Sequence, residues 1–240
     1  DFTAGTPVAV GDLLLLDTGG EYGIITAVAA TKLTCAAGFS GGGSGASQTY
    51  RVVDKSGGGA GAQVVKADYL DDAFAPHTEF IVTNGTTPVD TTATDFYRIQ
   101  AFRMIFAGAN AKPTGYIDLR EQDASPVFTR ISAGYTRARN IAYTVPAGYV
   151  LYVTDINWSY GYAANQTHYC RLYTRATQNE GFRTPGIFYP YTECVLANSS
   201  AQIHLTCPTK LVAGVDLKVS GIASVAGIAD VTLRGWLETA

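Results

Sequence analysis

Period-two alternation of apolar and polar residues is the dominant signal in this chain. Ile203 and Leu205 oppose Gln202, His204 and Thr206; Leu217 and Val219 oppose Asp216, Lys218 and Ser220; Val231, Leu233 and Leu237 oppose Asp230, Thr232 and Arg234. Alternation of this kind sets one face of a strand on a core and the other in water. Upstream, Phe96 to Phe106, Tyr116 to Glu121, Val127 to Ser132, Ile141 to Val145, Tyr149 to Trp158 and His168 to Arg175 also read as strands. Turn residues separate them at Gly108, Pro113, Pro126, Gly134, Pro146-Ala147-Gly148 and Ala213-Gly214. With no amphipathic helical period anywhere, the pattern predicts an all-β chain, an antiparallel sandwich or barrel.

The N-terminal part follows the same rule on a smaller scale. Short β-prone runs at Leu13 to Leu16, Tyr22 to Val28, Thr31 to Cys35 and Tyr50 to Val53 are broken by glycine turns such as Gly19-Gly20. Nine of the 26 glycines fall between Gly38 and Gly61. Neither Gly-rich run feeds a helical period, as a phosphate-binding loop would, so they read as hairpin tip and linker. The predicted organisation is a small β module over 1–62, an acidic connector over 63–95 and a jelly-roll-like β-sandwich over 96–240.

Charge distribution is what sets the predicted connector apart. From Ala67 to Tyr97 there are six acids and no Lys or Arg, whereas Arg98 to Arg183 holds ten bases, nine of them Arg, against five acids. The acids, with Asp68, Asp71 and Asp72 foremost, are expected either to be solvated or to dock on an Arg-bearing face of the same or a neighbouring subunit, Arg171 and Arg175 included. Net charge is −3, which gives no reason to expect a nucleic-acid partner. No apolar run approaches the ~20 residues of a membrane-spanning helix, so no membrane partner is expected. The sequence opens on Asp1 rather than Met, which leaves a leader upstream open.

The templates of enzyme chemistry find little to match. There are three histidines, His77, His168 and His204. The candidate carboxylate pairs, Asp118 with Glu121 and Asp71 with Asp72, have no spacing that selects them for glycoside hydrolysis. Cys35, Cys170, Cys194 and Cys207 lack the close spacing of a metal site. They read as small buried hydrophobes, with disulfide pairing among the last three as the alternative. No catalytic residue, cofactor or metal ligand is therefore assigned. The aromatic clusters Trp158-Ser159-Tyr160-Gly161-Tyr162 and Phe188-Tyr189-Pro190-Tyr191 offer large contact area with a polar handle. Trp158, Tyr160, Tyr162, Phe188, Tyr189 and Tyr191 read either as strand residues packing across a sheet or as contact residues on loops. Four Asn-x-Ser/Thr sequons, at Asn84, Asn157, Asn165 and Asn198, are expected by chance in a Thr- and Ser-rich β protein.

Two stretches carry a resemblance. Val10-Gly-Asp-Leu-Leu-Leu-Leu-Asp-Thr-Gly-Gly20 through Ile24 to Thr34, with Tyr50-Arg-Val-Val53, resembles a small β module of tailed-phage structural proteins. Arg130-Ile-Ser-Ala-Gly134, Tyr143 to Thr154, Cys170-Arg-Leu-Tyr-Thr-Arg175 and Gly235-Trp-Leu237 are similar to β-sandwich domains of phage head-decoration and fibre proteins. The resemblance implies a virion structural protein assembled in the host cytoplasm. It would be a capsid decoration or cement protein, a homotrimer whose partner is the major capsid protein. The alternative is a fibre head that binds a receptor or host-surface glycan. No functional residue carries over from turn and strand patterns.

Overall fold

The computed structural model describes residues 8–16, 21–29, 32–36, 50–54, 61–121, 126–140, 142–161, 170–177, 188–197, 199–224 and 227–240. All regular structure among them is strand, so the chain is all-β, with antiparallel strand pairs such as Leu13–Leu16 with Glu21–Ala29, Tyr149–Gly161 with Ser199–Val212 and Cys170–Thr177 with Phe188–Leu196. The chain divides into two units. One holds Asp1–Tyr69 and His77–Arg139; the other holds Leu70–Pro76 and Asn140–Ala240.

The first unit begins with β1 (Leu13–Leu16), β2 (Glu21–Ala29), β3 (Lys32–Cys35) and β4 (Tyr50–Val53), in the sheet order β3-β2-β1-β4. Each coincides with a predicted run. A turn leads into β1. Gly11 sits at φ 99°, which favours glycine, and buried Asp12 accepts a hydrogen bond from Ala9 N at 2.8 Å. Leu13, Leu14 and Leu15 are all buried because β1 is covered on both faces, hence four leucines without alternation.

Residues 63–95 are not a connector. They contain β5 (Ala62–Leu70) and β6 (Pro76–Val82), which form a sheet with β7 (Arg98–Ala107) in the order β6-β5-β7. On β5, Val64 packs with Leu13, Leu15, Phe80 and Phe106. Val65 and Ala67 join a second cluster with Ile81, Phe102, Leu119 and Ile131. A strand buried this thoroughly is the centre of a unit, and its acids occupy the margins. Leu119 and Ile131 come from β8 (Ile117–Arg120) and β9 (Val127–Ile131). This packing places 96–139 in the first unit and moves the expected start of the sandwich from residue 96 to about residue 140.

The second unit has two sheets. β10 (Ala142–Thr144), β15 (Asp216–Ala223), β12 (Cys170–Thr177) and β13 (Phe188–Leu196) make one, in that order; β14 (Ser199–Val212), β11 (Tyr149–Gly161) and β16 (Ile228–Thr239) make the other. One core draws on both, with Ile156, Trp158, Tyr160 and Leu211 from the second sheet and Leu196 and Leu217 from the first. That is a sandwich-like arrangement. Its order, with seven strands among the described residues, does not by itself define a jelly roll.

Candidate protein-contact surface

In the first unit, β8 and β9 pair with Asp118 opposite Arg130 and Leu119 opposite Thr129. Alternation then sorts the side chains. Leu119, Thr129 and Ile131 are buried, while Tyr116, Arg120, Phe128 and Arg130 face solvent. Tyr116 is 67% exposed and Phe128 53%. Aromatic rings this exposed on the polar side of a hairpin are not there for the core.

Arg130 is held in place on this face. Its Nε donates to Asp118 Oδ1 at 2.5 Å and its Nη2 to Oδ2 at 2.7 Å, a bidentate fork. Its guanidinium carbon lies 4.8 Å from the centroid of the Tyr116 ring. Hydrogen bonding from Arg130 holds the Asp118 carboxyl below the usual carboxylate range, partial burial opposes this, and the Arg130 and Arg120 charges reinforce it. The same motif recurs at Tyr135 with Arg139 (5.3 Å) and Tyr97 with Arg98 (5.9 Å). The surface offers rigid aromatic area beside a guanidinium already fixed in place, which can grip a protein.

The residues expected to make contacts lie elsewhere, and several are committed to the fold. Trp158 and Tyr160, 1% and 2% exposed, are core residues of β11 and carry no external contact. They share parity with buried Ile156, so alternation turns all three inward. Asp68 binds Lys66 Nζ at 3.0 Å and Arg103 at 3.5 Å and accepts from Thr78 Oγ1 at 2.7 Å, all within the first unit. Asp71 shapes a turn, accepting from Ala73 N at 3.0 Å and Ala75 N at 2.8 Å. Asp72 is exposed beside it. The backbone places Arg171 and Arg175 in β12 and Phe188, Tyr189 and Tyr191 in β13, so the aromatic run at 188–191 is a strand rather than a loop. Tyr162 and His168 lie outside the described residues. Cys207 is exposed and, like Cys35 and Cys194, free, which removes both buried packing for Cys207 and a bridge between Cys194 and Cys207. His204 is on the surface, with Nδ1 2.8 Å from Asp155 Oδ1.

Sequence reading missed Tyr116, Phe128 and Arg130. Their signal was parity: Phe128 and Arg130 alternate with Thr129 and Ile131, so an aromatic stood on the solvent side.

No protein-family model matches the chain, and no curated protein or solved structure does either.

Proposed function

We propose that this chain is a virion structural protein, a decoration or cement protein of a phage-like head that binds the major capsid protein. It acts by protein–protein contact and turns over no substrate. One observation carries the docking part of this reading: the outward face of β8–β9, where Tyr116, Phe128 and a bidentately fixed Arg130 stand together in solvent. Tyr and Arg dominate binding energy at protein interfaces, and an arginine already fixed in one rotamer gives up little entropy on docking. The resemblance of the strand and turn patterns to phage structural proteins supplies the particle. Of the aromatics the glycan-binding alternative would use, Trp158 and Tyr160 are inside the sandwich.

The test uses purified particles. The chain is expected in high copy on the head, and heads stripped of it should rebind the wild type. Tyr116→Ala/Phe128→Ala is expected to rebind at least ~30-fold more weakly, the effect of losing a hot spot of about 2 kcal/mol. A handful of copies at the tail tip overturns the function. Unchanged rebinding by the double variant overturns the surface.

A further inference from the structure

β16 is the edge of its sheet: it pairs with β11 along one side, and no described strand pairs with the other. An edge of twelve residues is long enough to template another strand, and proteins normally blunt such edges. Here the side chains follow a simple code. Val231 and Leu233 lie opposite Trp158 and Ile156 and face the core, whereas Ile228, Asp230, Thr232, Arg234 and Trp236 share the outer face. Ile228 is 73% exposed and Trp236 47%, the latter stacked on Tyr152 with ring centroids 5.1 Å apart. Neither Asp230 nor Arg234 forms an ion pair among the described residues. Asp155, the residue opposite Arg234, is bound instead by His204.

That code is self-complementary. We propose that β16 pairs antiparallel with β16 of a second copy of this chain, about a two-fold axis through Thr232. In this register Asp230 meets Arg234 of the second copy, and Arg234 meets its Asp230. Ile228 packs on Trp236 at both ends, and Val231 continues the core face beside Leu233 of the second copy. Directly opposed side chains of opposite charge stabilise an antiparallel pair, and like charges oppose it. A register centred on Arg234 would set Asp230 against Glu238 and Arg234 against itself. One centred on Trp236 also joins opposite charges, Arg234 to Glu238, but runs off the strand after Thr239 and makes the shorter ladder. A two-fold interface uses one patch twice and closes at two copies, in place of the expected trimer. The pairing lies within the second unit and does not depend on the capsid reading.

Two measurements on the full chain decide it. By sedimentation, the wild type is expected to reach a dimer mass in the micromolar to high-micromolar range. Asp230→Arg and Arg234→Asp, each alone, should raise the dissociation constant at least ~10-fold, about 1.4 kcal/mol, and the double swap D230R/R234D should restore it. The swap is also the control for folding, since it carries both substitutions. Register is read by cross-linking: residues opposed in an antiparallel pair have Cα atoms ~4.5–5.5 Å apart, within disulfide reach. Thr232→Cys should therefore give a reducible dimer beyond the background of the native cysteines in the wild type, and Trp236→Cys should not. A monomer or trimer mass, no restoration by the double swap, or cross-linking through position 236 in place of 232 overturns the proposal.

Discussion

Replacing Trp158 by alanine should destabilise the sandwich-like unit without touching a binding surface. The side chain is 1% exposed and lies in one cluster with Val153, Ile156, Leu196, Leu211, Val215 and Leu217. A buried tryptophan removes about 150–250 Å² from water. At about 25 cal/mol per Å², that contributes about 4–6 kcal/mol. One term opposes it: Trp158 Nε1 is buried with no hydrogen-bond partner among the described residues. A buried unpaired donor costs about 1–3 kcal/mol, which alanine would relieve. The net loss for Trp158→Ala is thus about 1–5 kcal/mol, centred at the lower end of the usual range for such truncations. Trp158→Phe keeps most of the ring and removes the orphan N–H, so it should cost about 1 kcal/mol or less. Urea unfolding followed by circular dichroism measures both, with a shift in midpoint at constant slope reporting stability alone. If Trp158→Ala unfolds at the wild-type midpoint, or if Phe is as damaging as Ala, the placement of this ring in the core is wrong.

Two further outcomes follow from local geometry. A Cβ on Gly235 would overlap the carbonyl oxygen of Tyr152 and crowd Val153 Cα, beside the bulge where β11 shifts register. Gly235→Ala should therefore cost about 1–3 kcal/mol, and an unchanged thermal midpoint would contradict that close approach. Arg130 lowers the Asp118 carboxyl in the folded chain, so the unfolded chain binds the proton more readily. Its stabilisation is present above the ordinary carboxylate value of ~3.9 and disappears as pH falls through the lower folded value. For so exposed a pair the contribution is about 0.2–1 kcal/mol. The difference in stability between wild type and Asp118→Asn should shrink by that amount between neutral pH and strong acid; a difference independent of pH refutes the pairing.

How far the sequence predicts the fold depends on how each strand is buried. β1 and β4 fall on the predicted runs because short apolar stretches there end at glycine and aspartate. β5 and β6 were masked by charge. Val64 and Val65 are both buried, so β5 lacks the clean alternation of a half-exposed strand, and six acids without a base outweighed the apolar residues between them. Those acids have local work: Asp68 takes Lys66 and Arg103, and Asp71 shapes the turn after the strand. For Trp158 and Tyr160 the sequence leaves two readings open, and the structure selects the strand one. Their parity with Ile156 already pointed inward, but the aromatic composition of the cluster suggested a surface.

The exposed face of β8–β9 was hidden for a different reason. Asp118 and Arg130 neutralise each other because the hairpin register sets them opposite, across a connection whose length the alternation does not fix. Asp230 and Arg234 are the same two residue types on a solvent-facing strand, yet they sit on one strand and cannot meet within the chain at that spacing. Composition makes the two pairs equivalent, and only register separates them. The first pair stiffens a surface that a partner would meet already formed. The second is satisfied by an antiparallel copy of its own strand, where each aspartate lies opposite the arginine it cannot reach alone.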